Sequence, residues 1–193
     1  ALGDVVESFQ YGSSKKALDE GEVPCLRMGN LQNGKIDWSN LKYAPADEEF
    51  DKFLLSDGDV LFNRTNSPDL VGKTSIFQGK SPAVFAGYLI RIRYQKNKLL
   101  GSYLNYNLNS GQAKDFCMNV KTDGVSQSNI NAKKLSKFEL FLPDLKTQEK
   151  IVKELNELSV HVAELRALQD EQLTDLKSLE RAYLHEAFNG ELV

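Results

Sequence analysis

Gly72-Lys73-Thr74 is the first group in this chain that could do chemistry, because it ends like a loop that cradles phosphate. Such a loop needs a glycine five residues before the second one, and Ser67 stands there, beside Pro68. The residues that follow, Ser75-Ile76-Phe77, read as strand where the loop would need a helix. No Gly-x-Gly-x-x-Gly occurs, so a dinucleotide fingerprint is missing as well. The two histidines, His161 and His185, stand 24 residues apart in one helical segment and cannot meet on one face to share a zinc ion or build a triad. Pro68-Asp69 is followed by no acidic residue until Asp115, which leaves no Pro-Asp…Glu-x-Lys nuclease site, and the Asn/Asp-Pro-Pro-Tyr/Phe tetrapeptide of amino-methyltransferases is absent. Cys25 and Cys117 are too few for a disulfide framework or a zinc cluster and read as reduced core residues. Neither catalytic residues nor metal ligands are expected.

Charge points instead to binding. The formal net charge of −3 hides a segregated distribution. Residues 1–59 carry 6 Lys/Arg against 12 Asp/Glu, residues 60–137 carry 12 against 3, and residues 144–193 carry 6 against 11. A basic middle of this kind can offer a positive face to a polyanion, unless folding interleaves it with the acidic first third. The chain of 193 residues has length for one domain plus an appendage. It holds no apolar run long enough to cross a membrane and shows no secretory leader at its start, so a cytoplasmic location is expected.

The elements that must position the basic middle are short. Val23 to Met28 is an apolar run closed by Gly29-Asn30. Asn33-Gly34 signals a tight turn before a strand over Lys35-Ile36-Asp37-Trp38. Ser56-Asp57-Gly58-Asp59 turns into Val60-Leu61-Phe62, a buried-strand pattern. Tyr88 to Tyr94 alternates, with Tyr88, Ile90, Ile92 and Tyr94 on one face and Arg91 and Arg93 on the other. Leu99 to about Met118 reads as one helix, Lys121 to Asn129 as a loop, and Lys137 to Leu142 as a last strand.

At Pro143-Asp144 the pattern changes. Asp144 reads as a helix N-cap and Asn189-Gly190 as the stop, with no Gly or Pro between. Ile151, Leu155, Leu158, Val162, Leu165, Leu176, Leu179 and Tyr183 recur at alternating spacings of four and three, with Gln169 and Gln172 filling the two seam positions between. This is a coiled-coil seam with a polar break. About 45 helical residues span roughly 67 Å, whereas a domain made of residues 1–143 is roughly 37 Å across. Part of the stripe therefore needs a partner helix from another chain or from another part of a longer protein, unless the helix breaks near Gln169-Gln172 and folds back. The expected fold class is α+β: a mixed α/β domain over 1–143 and one long helix over 144–193.

Four segments resemble the DNA specificity subunit of type I restriction–modification systems. They are Leu2 to Val6; Val23 to Leu31 with Gly34 to Asp37; Ser56 to Ser67 continuing through Leu70-Val71-Gly72-Lys73-Thr74; and Leu142 to Val152 with Leu184 to Leu192. Asp144 stands where that family commonly has the second proline of Leu-Pro-Pro. The resemblance implies a target recognition domain reading one half of a bipartite DNA sequence, with a conserved-region helix that pairs antiparallel with another and spaces the half-sites. It implies double-stranded DNA, a methyltransferase subunit, a motor–nuclease subunit and a second copy or second half of the specificity subunit as partners. S-adenosylmethionine, Mg and ATP would belong to the partner subunits, with no cofactor in this chain. The competing reading is a coiled-coil protein–protein adaptor whose basic patch is incidental.

Reading bases needs side chains that match base edges, such as Arg to guanine and Asn or Gln to adenine. Two polar, turn-rich stretches supply them: Arg64, Asn66, Lys73 and Thr74, and then Lys121, Thr122, Gln127, Ser128 and Asn129. Arg91 and Arg93 add a basic strand face to the candidate DNA-binding set.

Overall fold

The computed structural model describes residues 1–45, 50–79 and 81–190. Glu191 and Leu192, the end of the last segment quoted above, lie outside these. The chain falls into two compact units, Ala1–Glu149 and Lys150–Val193.

In the first unit, strands run over Val6–Tyr11 (β1), Cys25–Leu26 (β2), Leu31–Gln32 (β3), Lys35–Ile36 (β4), Val60–Asn63 (β5), Thr65–Asn66 (β6), Thr74–Ile76 (β7), Val84–Phe85 (β8), Leu89–Tyr94 (β9), Thr122–Asp123 (β10) and Ser128–Asn129 (β11). The helices are Gly101–Leu108 (α1), Gly111–Val120 (α2), Ala132–Leu135 (α3) and Leu145–Asn189 (α4), the last extending through the second unit. A four-stranded antiparallel sheet in the order β1-β9-β5-β7 forms the frame. A three-stranded sheet follows the order β10-β11-β6, β2 and β8 pair in parallel, and β3 and β4 make a hairpin.

Local chemistry explains these elements. Val60, Leu61 and Phe62 are fully buried, which suits a strand with a neighbour on either side. The β3–β4 turn carries Asn33 at φ +52° and Gly34 at φ +77°, the pair of positive angles that a two-residue hairpin turn requires. Leu26, Leu31, Leu61, Phe77, Phe85 and Leu89 form a core cluster, with Trp38 tilted against Phe77 at 6.2 Å.

Several expectations change. The helix expected over Leu99 to Met118 is two helices, because Asn109 turns its amide back to Asn105 O at 2.8 Å and Ser110 caps α2, its hydroxyl accepting from Ala113 N–H at 3.2 Å. The Lys121–Asn129 loop is a β-hairpin. The strand expected over Lys137–Leu142 is irregular chain: Phe138 is buried and accepts one bond from Leu2 N–H at 2.7 Å, but no ladder forms. The strand expected at Lys35–Trp38 ends after Ile36.

Arg91 is the largest correction. It is 1% exposed rather than on a solvent face. Its Nη1 donates to Asp59 Oδ2 at 3.0 Å and to Leu54 O at 2.6 Å, its Nη2 to Lys52 O at 3.2 Å, and its Nε to Gln10 Oε1 at 3.1 Å. It lies over the Phe85 ring at 5.2 Å. Asp59 in turn accepts the Ser56 N–H at 2.9 Å.

The start of α4 is fastened within the first unit. Asp144 Oδ1 accepts from Thr147 N–H at 2.7 Å, as an N-cap should. Gln148 is fully buried; its amide donates to Lys98 O and Pro143 O, both at 2.8 Å, and its oxygen accepts from Leu100 N–H at 2.9 Å, meeting the first donor of α1. α4 continues without a break through Gln169-Gln172 to Asn189, with Gly190 following at φ +75°. No helix among the described residues is long and apolar enough to cross a membrane.

Replacing Arg91 by Met should lower the unfolding free energy by about 3 kcal/mol or more, because Asp59 and two carbonyls lose a buried donor. Urea denaturation checks this, and a wild-type midpoint would contradict it.

Candidate nucleic-acid interface

β5 delivers the first polar stretch. It ends at Asn63, and Arg64 leads directly into β6. β11 pairs antiparallel with β6, setting Ser128 opposite Asn66 and Asn129 opposite Thr65. β10 pairs with the other edge of β11, setting Thr122 opposite Asn129 and Asp123 opposite Ser128. Two stretches about sixty residues apart in sequence thus become one small polar sheet.

Its side chains divide into braces and open groups. Ser128 is fully buried and its hydroxyl donates to Asp123 Oδ1, which Lys121 Nζ also reaches at 2.6 Å. Thr122 Oγ1 accepts from Lys134 Nζ at 2.6 Å, and the same ammonium donates to Val120 O. Asn129 Nδ2 donates to Thr65 Oγ1 at 2.8 Å, tying β11 to β6. Asn66 uses Oδ1 to accept the Ser67 N–H at 2.8 Å. Arg64 donates to Gly87 O at 3.3 Å and lies 5.0 Å from the Tyr11 ring centroid. Beyond the braces, Gly124 N–H donates to Gln127 O at 2.8 Å and closes the β10–β11 turn. Its tip, Val125 to Gln127, is exposed, with the Val125 side chain wholly in solvent.

The remaining candidates lie elsewhere. Lys73 immediately precedes β7 of the frame sheet and donates to Gln32 Oε1 at 3.1 Å on the β3–β4 hairpin. Thr74 is buried, with its hydroxyl bonded to Gly72 O at 3.1 Å. Arg91 is enclosed, as described above. Arg93 is exposed at the end of β9 remote from Leu89, the residue opposite Asn63, and lines a shallow pocket with Glu7 and Asp59. The structure therefore joins Arg64 and Asn66 to residues 121–129 and does not bring Thr74, Arg91 or Arg93 to that sheet.

Sequence reasoning missed three contributors. Lys134 and Tyr11 brace the hairpin and Arg64 from outside both stretches. Val125 was read only as part of a loop; an apolar residue flanked by Gly124 and Ser126 at a turn was the available signal. Burial pushes the thiols of Cys25 and Cys117 up to about 11, so both stay protonated and neither is poised as a nucleophile. Among the described residues no group of His, Cys, Asp or Glu is placed to hold a metal.

The family profile of the type I restriction modification DNA specificity domain matches residues 1–174. The chain belongs to that family. It is 27% identical over 191 residues to the StySPI specificity subunit of Salmonella potsdam, covering 97% of this chain and 41% of the relative. It is 32% identical over 160 residues to a putative MjaX specificity subunit of Methanocaldococcus jannaschii, covering 81% of this chain and 38% of that one. The fold matches a chain from a type I restriction–modification assembly with TM-score 0.73, at 24% identity over 98% of this chain and 45% of the other. It also matches the HsdS subunit of Thermoanaerobacter tengcongensis with TM-score 0.63, at 24% identity over 98% and 44%. The chain thus spans about two-fifths of the length of these curated relatives. The mixed α/β domain with a long C-terminal helix is the architecture expected of the specificity domain.

Asp123 gives the hairpin a pH dependence. Hydrogen bonds from Lys121 and then Ser128 hold its carboxyl below the ordinary 3.8. A carboxyl lowered on folding stabilises fully above its unfolded value and loses that contribution as pH falls through the folded one. Strand-type backbone shifts over Thr122–Asn129 should persist at pH 5 and drift toward coil below about pH 4. Shifts unchanged down to pH 2 would show that the carboxylate does not brace the turn.

Proposed function

We propose that this chain is the DNA-recognising half of a type I specificity subunit, without catalytic activity of its own. The observation that carries this reading is the convergence of residues 65–66 and 121–129 on one sheet with an exposed tip. Gln127 and Asn66 are the residues assigned to base edges, since amide side chains can pair bidentately with adenine. Arg64 is assigned to guanine or phosphate and Lys73 to the backbone flank. Lys121, Thr122, Ser128 and Asn129 are assigned to holding the hairpin in shape, with at most backbone contact to DNA.

The helix is assigned to assembly. Leu158, Val162, Leu165, Leu176, Leu179 and Tyr183 are exposed, from 38% at Val162 to 62% at Leu176, and Ile151 and Leu155 are half-buried. A continuous stripe of this length is covered by a second helix, from a second copy or the second half of a longer subunit, and such a pair fixes the spacing between two half-sites. Methyltransferase and motor–nuclease subunits would then dock on the assembly and supply S-adenosylmethionine, Mg and ATP chemistry.

The test is the cell's DNA methylome with the wild-type and variant genes. Gln127→Ala should relax one position of one half-site, a contact worth about 1–3 kcal/mol, and leave the spacer length unchanged. Leu158→Asp should abolish methylation at the whole motif and reduce the mass of the complex the chain forms in solution. An unchanged methylome in both, with an active methyltransferase present, would sink the reading and favour the adaptor.

A further inference from the structure

Tyr11 ends β1, where it pairs with Ile90 of β9, outside both polar stretches. Its side chain is held at two places. The hydroxyl accepts the Ala132 N–H at 3.1 Å, the first N–H of α3, which has no partner within that helix. The ring centroid lies 5.0 Å from the Arg64 guanidinium carbon. The same guanidinium donates through Nη1 to Gly87 O at 3.3 Å. Ring and carbonyl are locked together by the backbone between them. A Cβ on Gly12 would meet the carbonyl oxygens of Phe85 and Ala86 at 2.4 Å, so glycine alone lets the chain leave β1 this close to the β8–β9 turn. Ser13 N–H then donates to Phe85 O at 2.9 Å and Gly87 N–H to Ser13 O at 2.7 Å. The root of Arg64 is fixed as well. Its N–H donates to Tyr88 O at 3.0 Å, and its carbonyl accepts the Ile130 N–H at 2.9 Å, one residue beyond β11.

We infer that Tyr11 is a positioning residue that aims Arg64 at a guanine of the half-site; the inference rests on the reading of the three-stranded sheet as the surface that meets the bases. A guanidinium offers two adjacent pairs of donors, Nε with Nη2 or Nη1 with Nη2. Nε of Arg64 is enclosed and has no hydrogen-bond partner among the described residues, so the first pair cannot reach a ligand. Nη1 carries two hydrogens and gives one to Gly87 O, while Nη2 makes no bond among the described residues. The second pair is therefore the fork that reaches a base. Guanine sets two acceptors, O6 and N7, side by side to receive it, whereas adenine sets a donor beside its N7. A phosphate asks only for a cation nearby, which a mobile lysine supplies. A guanidinium already held against a ring and a carbonyl loses little freedom on binding, and its fixed plane tells one base edge from another.

The test is the methylation rate of the subunit assembled with its methyltransferase, on duplexes carrying each base in turn at every position of the half-site. Wild type should require guanine at one position. Arg64→Lys keeps the charge and loses the fork, and should cut the preference for guanine there about 5- to 150-fold, the range a bidentate contact carries. Tyr11→Leu should relax the same position and leave the other positions and the spacer unchanged. Tyr11→Phe keeps the ring and should retain the wild-type preference. A half-site with no guanine on either strand, or an Arg64→Lys assembly slowed equally on all duplexes, would overturn the guanine assignment. Relaxation by Arg64→Lys but not by Tyr11→Leu would overturn the role of Tyr11, and so would loss of all methylation in Tyr11→Leu, which would make the ring a part of the fold alone. Gln127→Ala relaxing its own position, with neither Arg64→Lys nor Tyr11→Leu relaxing any, would overturn this inference and leave the sheet standing. No relaxation by any of the three would overturn both.

Discussion

A guanidinium taken out of water must have its donors met, or its burial costs several kcal/mol. Arg91 meets that constraint by gathering parts of the chain that otherwise share little. Gln10 comes from β1, the Lys52 and Leu54 carbonyls from the turn after Phe50, and Asp59 from the turn that starts β5. Because Asp59 immediately precedes Val60, the same interaction sets where β5 begins. β5 is four residues long, so where it begins also fixes where it ends. Its end presents Arg64 and β6, and β6 is the edge on which the polar β10–β11 hairpin is built. Buried charge is usually a weak source of stability, and its value here is positional.

The frame and the polar sheet are held in different ways. The frame sheet is packed by Leu61, Phe85, Leu89 and Phe77. The three-stranded polar sheet has strands of two residues, and most of its side-chain bonds are its own: Lys121 and Ser128 on Asp123, Asn129 on Thr65. Such a hairpin can change its tip without disturbing the core.

Much of this was legible in the residues. The buried β5, the Asn33-Gly34 turn and the capped, uninterrupted α4 were each visible because a single local rule governs them. The failed phosphate loop was legible too, and Thr74–Ile76 is indeed strand. The misses share a different cause. Period-two alternation put Arg91 outside, since nothing local reveals that Gln10, Asp59 and two carbonyls wait for it 32 to 81 residues away. The 121–129 segment read as loop because its strands are two residues long and polar, and only pairing with β6 makes them strands. In the candidate set, the stretches were visible but their division into braces and open groups was not.

The central claim is that the β10–β11 tip and β6 together face the bases. A photoreactive side chain placed in turn at Gln127, at Asn66 and at Arg93, in the subunit assembled with its methyltransferase and a target duplex, tests it most directly. Cross-links from positions 127 and 66 to bases of the same half-site, with none from position 93, are the expected result. Cross-links from position 93 alone, or from 127 and 66 to different half-sites, would contradict it.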